Sequence, residues 1–197
     1  MPVDKIGNQI FDEDYALLIL SVEVLERYLL ANELYWPLFI HPKMKLVNPR
    51  SRLTPGNLLL SVQRLSSIAL DEELQQKKEA SLSSFREICQ TWKTHWQKKC
   101  LLEFDARMDL WTAFVRDLLS EQDSHAINYN YALRWRVILH LLNKERIKPD
   151  ESMVMALQAM DENIRAITEP STFAWCMDCV SSFPSDEYWF LYRKIKV

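Results

Sequence analysis

The chain has 197 residues, of which 48% are hydrophobic and 26% are charged, and its formal net charge is −3 at pH 7. These values are typical of one soluble globular domain that is long enough to bury a sizeable core. Only two glycines, Gly7 and Gly56, are present, which excludes ordinary β-rich folds and doubly wound folds, because their turns and phosphate loops depend on glycine.

Residues 57–148 contain neither glycine nor proline. A run of this length without a backbone breaker predicts an all-α fold, and we expect a single helical domain over residues 1–197, with six or seven helices. The acidic start of the chain is unlike a signal peptide, and its apolar run is too short for a membrane span. Four cysteines do not suggest a secreted disulfide framework. We therefore expect a cytoplasmic protein with reduced thiols and no membrane association.

The first predicted helix covers residues 12–32, with Asp12, Glu13 and Asp14 as acidic caps at the positive end of its dipole. A Pro-rich loop with basic and aromatic residues follows, at about 33–53. The pair Thr54–Pro55 then predicts the start of a second helix, since Thr suits the N-cap and Pro the first helical position.

A long central helix is predicted at about 75–120. Its apolar residues recur at a mean spacing of about 3.6 residues, the period of a straight α-helix. The recurring positions are Leu82, Phe85, Cys89, Trp92, Trp96, Cys100, Phe104, Met108, Trp111, Val115 and Leu118. The spacing does not settle into heptads, which favours the spine of a bundle over a coiled coil.

Four further segments complete the predicted order. Residues 127–146 are predicted as a helix that buries two faces, one with Ile127, Tyr131, Trp135, Ile138 and Leu142 and the other with Leu133, Val137 and Leu141. A fifth helix opens at Asp150 and a sixth covers residues 170–182. Residues 186–197 fit either a short helix or a strand, because an acidic start and basic end suit a helix whereas aromatic residues suit a strand.

The basic residues are unevenly distributed. Residues 34–70 contain five Lys or Arg and no acid, and residues 124–149 contain five against Glu145 alone. We expect the loop and the following helix start to bind an anionic group, because arginine forks and free backbone N–H groups both suit one. The predicted anion- or partner-binding residues are Lys43, Lys45, Arg50, Arg52, Thr54 and Arg64. The predicted aromatic anchors of the loop are Tyr35, Trp36 and Phe39.

Arg134 and His140 form an Arg-x5-His spacing. This spacing resembles the Arg-x(4–6)-His signature of HEPN-type ribonucleases, an all-helical family whose members use the Arg and His to cleave RNA across a dimer interface. The resemblance implies Arg134 and His140 as catalytic residues. The residue after Arg134 is Trp135, where the family has a polar residue.

Other chemical signatures point to no enzyme class. Cys176 and Cys179 match a redox motif in spacing, but no strand is predicted before them, so we interpret them as packing residues. Asp105, Asp109 and their neighbours Glu103, Arg107 and Lys99 are interpreted as a solvated ion-pair lattice. We predict no metal site and no cofactor. The leading hypothesis is a non-enzymatic adaptor or scaffold that binds an acidic or anionic protein partner and also self-associates as a homo-oligomer. The alternative is a nucleic-acid-associated protein.

Overall fold

The computed structural model describes residues 3–38, 52–68, 70–145 and 150–196, with side chains from residue 11 onwards. It is an all-α domain. Its helices are α1 (Val3–Leu30), α2 (Pro55–Leu65), α3 (Glu72–Thr91), α4 (Lys93–Ser120), α5 (Gln122–His125), α6 (Tyr129–Lys144) and α7 (Glu151–Ile167). Short 3-10 helices cover Ala126–Asn128, Met177–Ser182 and Trp189–Tyr192.

Two short antiparallel strand pairs accompany the helices of the described chain. β1 (Trp36–Pro37) pairs with β2 (Arg52–Leu53), with Trp36 opposite Leu53. This pair connects the two ends of the predicted loop. β3 (Thr168–Pro170) pairs with β4 (Arg193–Ile195), with Thr168 opposite Ile195. The second pair ties the carboxyl-terminal end of the described chain to the end of α7.

The first helix is longer than predicted, because it begins at Val3 rather than near residue 12. Asp14 is not a cap. It lies inside α1, is buried at 6% exposure, and accepts a hydrogen bond from Ser61 Oγ at 2.7 Å. The acidic residues 12–14 suggested a helix start, because the sequence alone does not reveal that Ser61 on α2 binds Asp14.

The predicted central helix is interrupted at Trp92, and two consecutive helices, α3 and α4, take its place. The stripe residues of α4, from Trp96 to Leu118, are all buried, as the periodicity predicted. Trp92 has φ −106° and ψ 34° and stands between α3 and α4. Neither glycine nor proline marks this position, so local sequence did not predict the break. It accompanies a change of packing partner, since α3 packs against α1 whereas α4 packs mainly against α6.

The carboxyl-terminal third departs further from the predictions. The expected sixth helix over residues 170–182 is wrong: residues 168–170 form β3, and only the 3-10 helix Met177–Ser182 follows. Residues 189–195 form a 3-10 helix and then β4. Arg193 accounts for part of this arrangement, because its Nε donates to Thr168 Oγ1 at 2.7 Å and its Nη2 donates to the Thr168 carbonyl at 2.7 Å.

Candidate functional site

The start of α2 has the N-cap that the sequence predicts. Thr54 is fully buried, and its Oγ1 accepts a hydrogen bond from the Asn57 backbone N–H at 3.2 Å. The positive end of this helix already contacts a carboxylate of the same chain. Gly56 N donates to Glu103 Oε2 at 2.6 Å, and Thr54 Oγ1 donates to Glu103 Oε1 at 2.7 Å. The N–H groups that were expected to help hold an external anion therefore have an internal partner on α4.

Glu103 is the centre of a buried polar network. Its side chain is 0% exposed, and it also accepts hydrogen bonds from Arg107 Nε at 3.1 Å and Arg107 Nη2 at 2.9 Å. The interpretation of Glu103, Arg107 and Lys99 as part of a solvated lattice is thus wrong, because Glu103 and Lys99 are buried. The sequence shows the i, i+4 spacing of Glu103 and Arg107. It does not show the burial of Glu103, which depends on α2, because α2 packs over this turn of α4.

The structure places the predicted anion-binding residues in different surroundings. Arg52 is exposed, and its carbonyl accepts a hydrogen bond from Asn57 Nδ2 at 3.0 Å. Arg64 Nη1 lies 3.7 Å from Asp14 Oδ1, and its guanidinium carbon lies 4.9 Å from the centre of the Trp175 ring. The predictions for Lys43, Lys45 and Arg50 lie outside the described residues.

The predicted aromatic anchors are also only partly described. Trp36 packs edge-on against Tyr28, with ring centres 6.3 Å apart. Tyr35 is 41% exposed, and Phe39 lies outside the described residues. Leu38, next to Phe39, is buried. The described start of the loop is thus held against α1.

Arg134 and His140 have separate partners. Arg134 Nη2 donates to Asn57 Oδ1 at 3.0 Å. His140 Nε2 lies 2.7 Å from Glu187 Oε1, and its ring centre lies 4.8 Å from that of Tyr188. The pKa of His140 is lowered, and burial is the largest cause. The hydrogen bond to Glu187 raises this pKa and offsets part of the effect. Within one chain, each of the two side chains is thus engaged with a different neighbouring element.

Asp14 is the second buried carboxylate beside α2. Burial raises its pKa, and the Arg64 charge and the Ser61 hydrogen bond partly offset that effect. The charge of Arg134 also lowers the pKa of Asp14, which places Arg134 within electrostatic reach of this carboxylate. Asp14 and Glu103 are thus two buried carboxylates that each contact an arginine, Arg64 and Arg107 respectively.

Three arginines from three helices meet at α2: Arg64 lies on α2, Arg107 of α4 binds the Glu103 carboxylate that accepts from Gly56 N, and Arg134 of α6 donates to Asn57. Burial lowers the pKa of Arg134, and the charges of Arg64 and Arg107 lower it further. The Arg64 and Arg107 side chains retain 18% and 11% exposure. These three residues are called the arginine cluster below. Arg64 and Arg134 come from the two basic segments of the sequence, one from each. Arg107 belongs to neither segment, so the distribution of charge along the sequence did not indicate it.

An exposed apolar stripe runs beside the arginine cluster on α6 and the turn before it. Ile127 is 88% exposed and Tyr131 is 69% exposed. Tyr131 packs edge-on against Trp135, with ring centres 6.1 Å apart, and Trp135 contacts Phe114 of the core at 6.2 Å. Ile127, Tyr131 and Trp135 are called the aromatic stripe below.

The prediction that Ile127 and Tyr131 face the core is wrong. α6 begins only at Tyr129, so Ile127 lies in the 3-10 turn before it. The rest of the first face does face the core, since Ile138 and Leu142 are buried, as are Leu133, Val137 and Leu141 of the second face. The sequence shows both apolar faces of this helix but does not reveal that Ile127 and Tyr131, at its start, stay exposed.

Trp175 borders the arginine cluster near the start of α6. Its Nε1 donates to the Asn130 carbonyl at 3.2 Å, and its ring lies under Arg64. The arginine cluster, the aromatic stripe and Trp175 together form the arginine–aromatic surface. The sequence signal for it was the two basic segments, but the proximity of their residues depends on the fold.

The cysteines lack the features of a redox site. Cys179 is buried, its thiol lies 3.1 Å from the Cys176 carbonyl, and burial raises its pKa to about 11. Burial also raises the pKa of Cys89 and of Cys100. A raised pKa leaves a thiol protonated and weakly nucleophilic at neutral pH. Across the described ranges, no group of three or more His, Cys, Asp or Glu side chains is placed to hold a metal ion.

No protein-family model matches this chain, and no curated protein or solved structure matches it either. Among the described helices, none has both the length and the hydropathy of a membrane span.

Proposed function

We propose that this protein is an interaction module that binds an acidic, partly apolar segment of a partner protein on the arginine–aromatic surface. The observation that carries the proposal is the exposure of Tyr131 at 69%, three residues before Arg134 on α6, and of Ile127 at 88% in the turn before this helix. Exposed Tyr and Trp beside Arg are the residue types that contribute most binding energy in protein interfaces.

The charges of this surface fit a carboxylate-bearing partner. Three arginines gather over two buried carboxylates, Asp14 and Glu103, and the exposed Arg52 lies nearby through its contact with Asn57. The net local charge is therefore positive. An arginine fork accommodates a carboxylate with two parallel hydrogen bonds, so an acidic side chain of the partner is the natural counterpart.

A protein segment fits the surface better than a nucleic acid. The chain as a whole carries a net charge of −3, which opposes the approach of a polyanion. Several cations of the two basic segments are also paired with the chain's own acids: Arg64 with Asp14, Arg136 with Asp161, and Lys144 with Glu187. An exposed isoleucine gains more from contact with an apolar side chain than from a base, which recognises aromatic rings by stacking.

The experiment is a selection of random linear peptides that bind the purified chain, followed by affinity measurements on variants. We expect selected peptides to be enriched in Asp or Glu together with aromatic or large aliphatic residues. Tyr131→Ser and Arg134→Gln are each expected to weaken binding by about tenfold or more, the typical effect of losing a hot-spot residue. Tyr131 is well exposed, so its replacement leaves the fold intact.

Two matched variants and one nucleic-acid probe complete the test. Arg116→Gln and Leu101→Ser replace exposed residues of α4 outside the surface, and we expect both to bind as the unaltered chain does. Equal binding by Tyr131→Ser, or selected peptides without acidic enrichment, contradicts the proposal. So does tight binding of single-stranded polyuridylate with a steep salt dependence, since that is the behaviour of a phosphate-binding surface.

A further inference from the structure

A cleft of about 210 Å³ lies between the end of α1 and the first turns of α4. Its lining consists of residues 29–32 at the end of α1 together with His95, Lys98, Lys99 and Leu102 of α4. None of these lining residues is acidic. The four residues of α4 lie on one side of the helix, because positions three and four apart face the same way.

Lys99 is a buried cation in the wall of this cleft. It is 4% exposed, its Nζ donates to the Glu33 carbonyl at 2.5 Å, and it lies 4.5 Å from the centre of the Tyr28 ring. Both of these direct contacts are with uncharged groups, and the Glu33 carboxylate also attracts the Lys99 charge. A buried charge is costly unless it is paired, and a carbonyl and a ring face compensate an ammonium less well than an anion does.

A second ammonium stands beside it. Burial lowers the pKa of Lys99, and the charge of Lys98 lowers it further, whereas Glu33 acts in the opposite direction. Lys98 and His95 are exposed at the mouth of the cleft. Leu30 at 52% exposure and Leu102 at 43% exposure form its apolar edges. An anion placed here relieves the repulsion between the two lysines and compensates the buried charge.

We propose that this cleft binds a compact oxyanion, the phosphate or carboxylate group of a small molecule, between Lys98 and Lys99. A lysine ammonium binds such groups as a point charge with three donors, and Lys99 has donor capacity left after its bond to Glu33. The site consists of other residues than the arginine–aromatic surface, so the two proposals stand or fail separately.

The test measures thermal unfolding of the full chain at pH 7 while sodium phosphate, or in a second series sodium succinate, replaces sodium chloride at constant ionic strength. We expect a saturable rise of Tm with at least one of the two, because a ligand that binds only the folded state stabilises it by mass action. The series with the lower half-saturating concentration identifies the group that the cleft prefers.

Lys98→Gln is the decisive variant, because Lys98 is exposed and its replacement leaves the fold intact. We expect it to raise the half-saturating concentration by about tenfold or more, as for the loss of one charge-assisted hydrogen bond. Lys93→Gln is the matched control, since Lys93 is exposed on the same helix and does not line the cleft. Equal saturation in Lys98→Gln, or no saturable rise with either anion, overturns the proposal.

Discussion

Glu103 binds the amino-terminal end of α2 to α4 through a single carboxylate. It accepts hydrogen bonds from Thr54, Gly56 and Arg107, and water does not reach it. Close approach of the two helices depends on glycine at position 56. A Cβ built there lies 3.0 Å from Glu103 Oε1 and also meets Ile138, so a larger residue displaces its neighbours.

Glu103→Leu is expected to lower the free energy of unfolding by about 3–5 kcal/mol, because it leaves the Arg107 charge and the Gly56 N–H buried without their partner. Urea denaturation measures the change. Asp109→Asn is the control, since Asp109 is exposed on the same helix, and we expect its effect to stay within about 0.5 kcal/mol. A loss for Glu103→Leu no larger than that of the control contradicts this role of Glu103.

Sequence reasoning at this scale succeeded where the partner is local. Thr54 and Pro55 predicted the start of α2 correctly, because a cap and its helix are adjacent in the chain. The anion at that helix start could not be predicted, since Glu103 lies 47 residues from Gly56. The expectation of an external anion arose from the same donors, whose internal partner only the fold reveals.

At the scale of elements, α6 connects the core with the carboxyl-terminal segment. His140 contacts Glu187 and the Tyr188 ring, while Lys144 also pairs with Glu187. Lys144 lowers the pKa of Glu187. Arg136 and Lys144 both oppose a positive charge on His140. The turn after Pro184 is therefore held on α6 by the contacts of His140 and Lys144 with Glu187.

A lowered pKa of His140 makes stability depend on pH. Below its ordinary pKa of about 6.5, the unfolded chain binds a proton that the folded chain does not bind. The contribution is thus present above about pH 6.5 and is lost as the pH falls through the lowered folded pKa. The contribution of Glu187 to stability is lost at lower pH, below the ordinary pKa of a carboxyl group.

His140→Gln is expected to reduce the loss of stability between about pH 7 and pH 5, because glutamine still donates to Glu187 but does not titrate. Urea denaturation at a series of pH values measures this loss. Arg116→Gln serves as a control at an exposed residue of α4, and we expect it to leave the pH profile unchanged, because arginine stays protonated throughout this range. A profile of His140→Gln that coincides with that of the unaltered chain contradicts the assignment.

The sequence predicted which segments are mainly helical, but it did not predict every helix end. The buried stripe of α4 follows from helical periodicity alone. The break at Trp92 and the 3-10 helices after Pro170 were missed, because they depend on contacts between distant segments. Arg193 with Thr168, for example, spans 25 residues and helps to hold β4 on β3. Local propensity does not contain such information.

At the scale of the whole molecule, the fold brings cations of both basic segments into the arginine cluster and pairs others with acids. The charge map indicated both segments, and Arg64 and Arg134 come from one each. The aromatic stripe was not predictable as a surface, because Ile127 and Tyr131 share a predicted apolar face with the buried Ile138 and Leu142, and only the packing of the other helices decides how much of that face is covered. That an acidic partner binds at Arg52 and Arg64 stays a prediction.

The most direct test of the arginine–aromatic surface is the nitrogen-15 spectrum of the labelled chain during titration with the best selected acidic peptide. We predict that the largest shifts fall on residues 127–135 and on the side-chain resonances of Arg64, Arg107 and Trp175. Shifts concentrated in the apolar groove between α4 and α7, around Val115 and Met160, with the arginine–aromatic surface unchanged, would contradict the account.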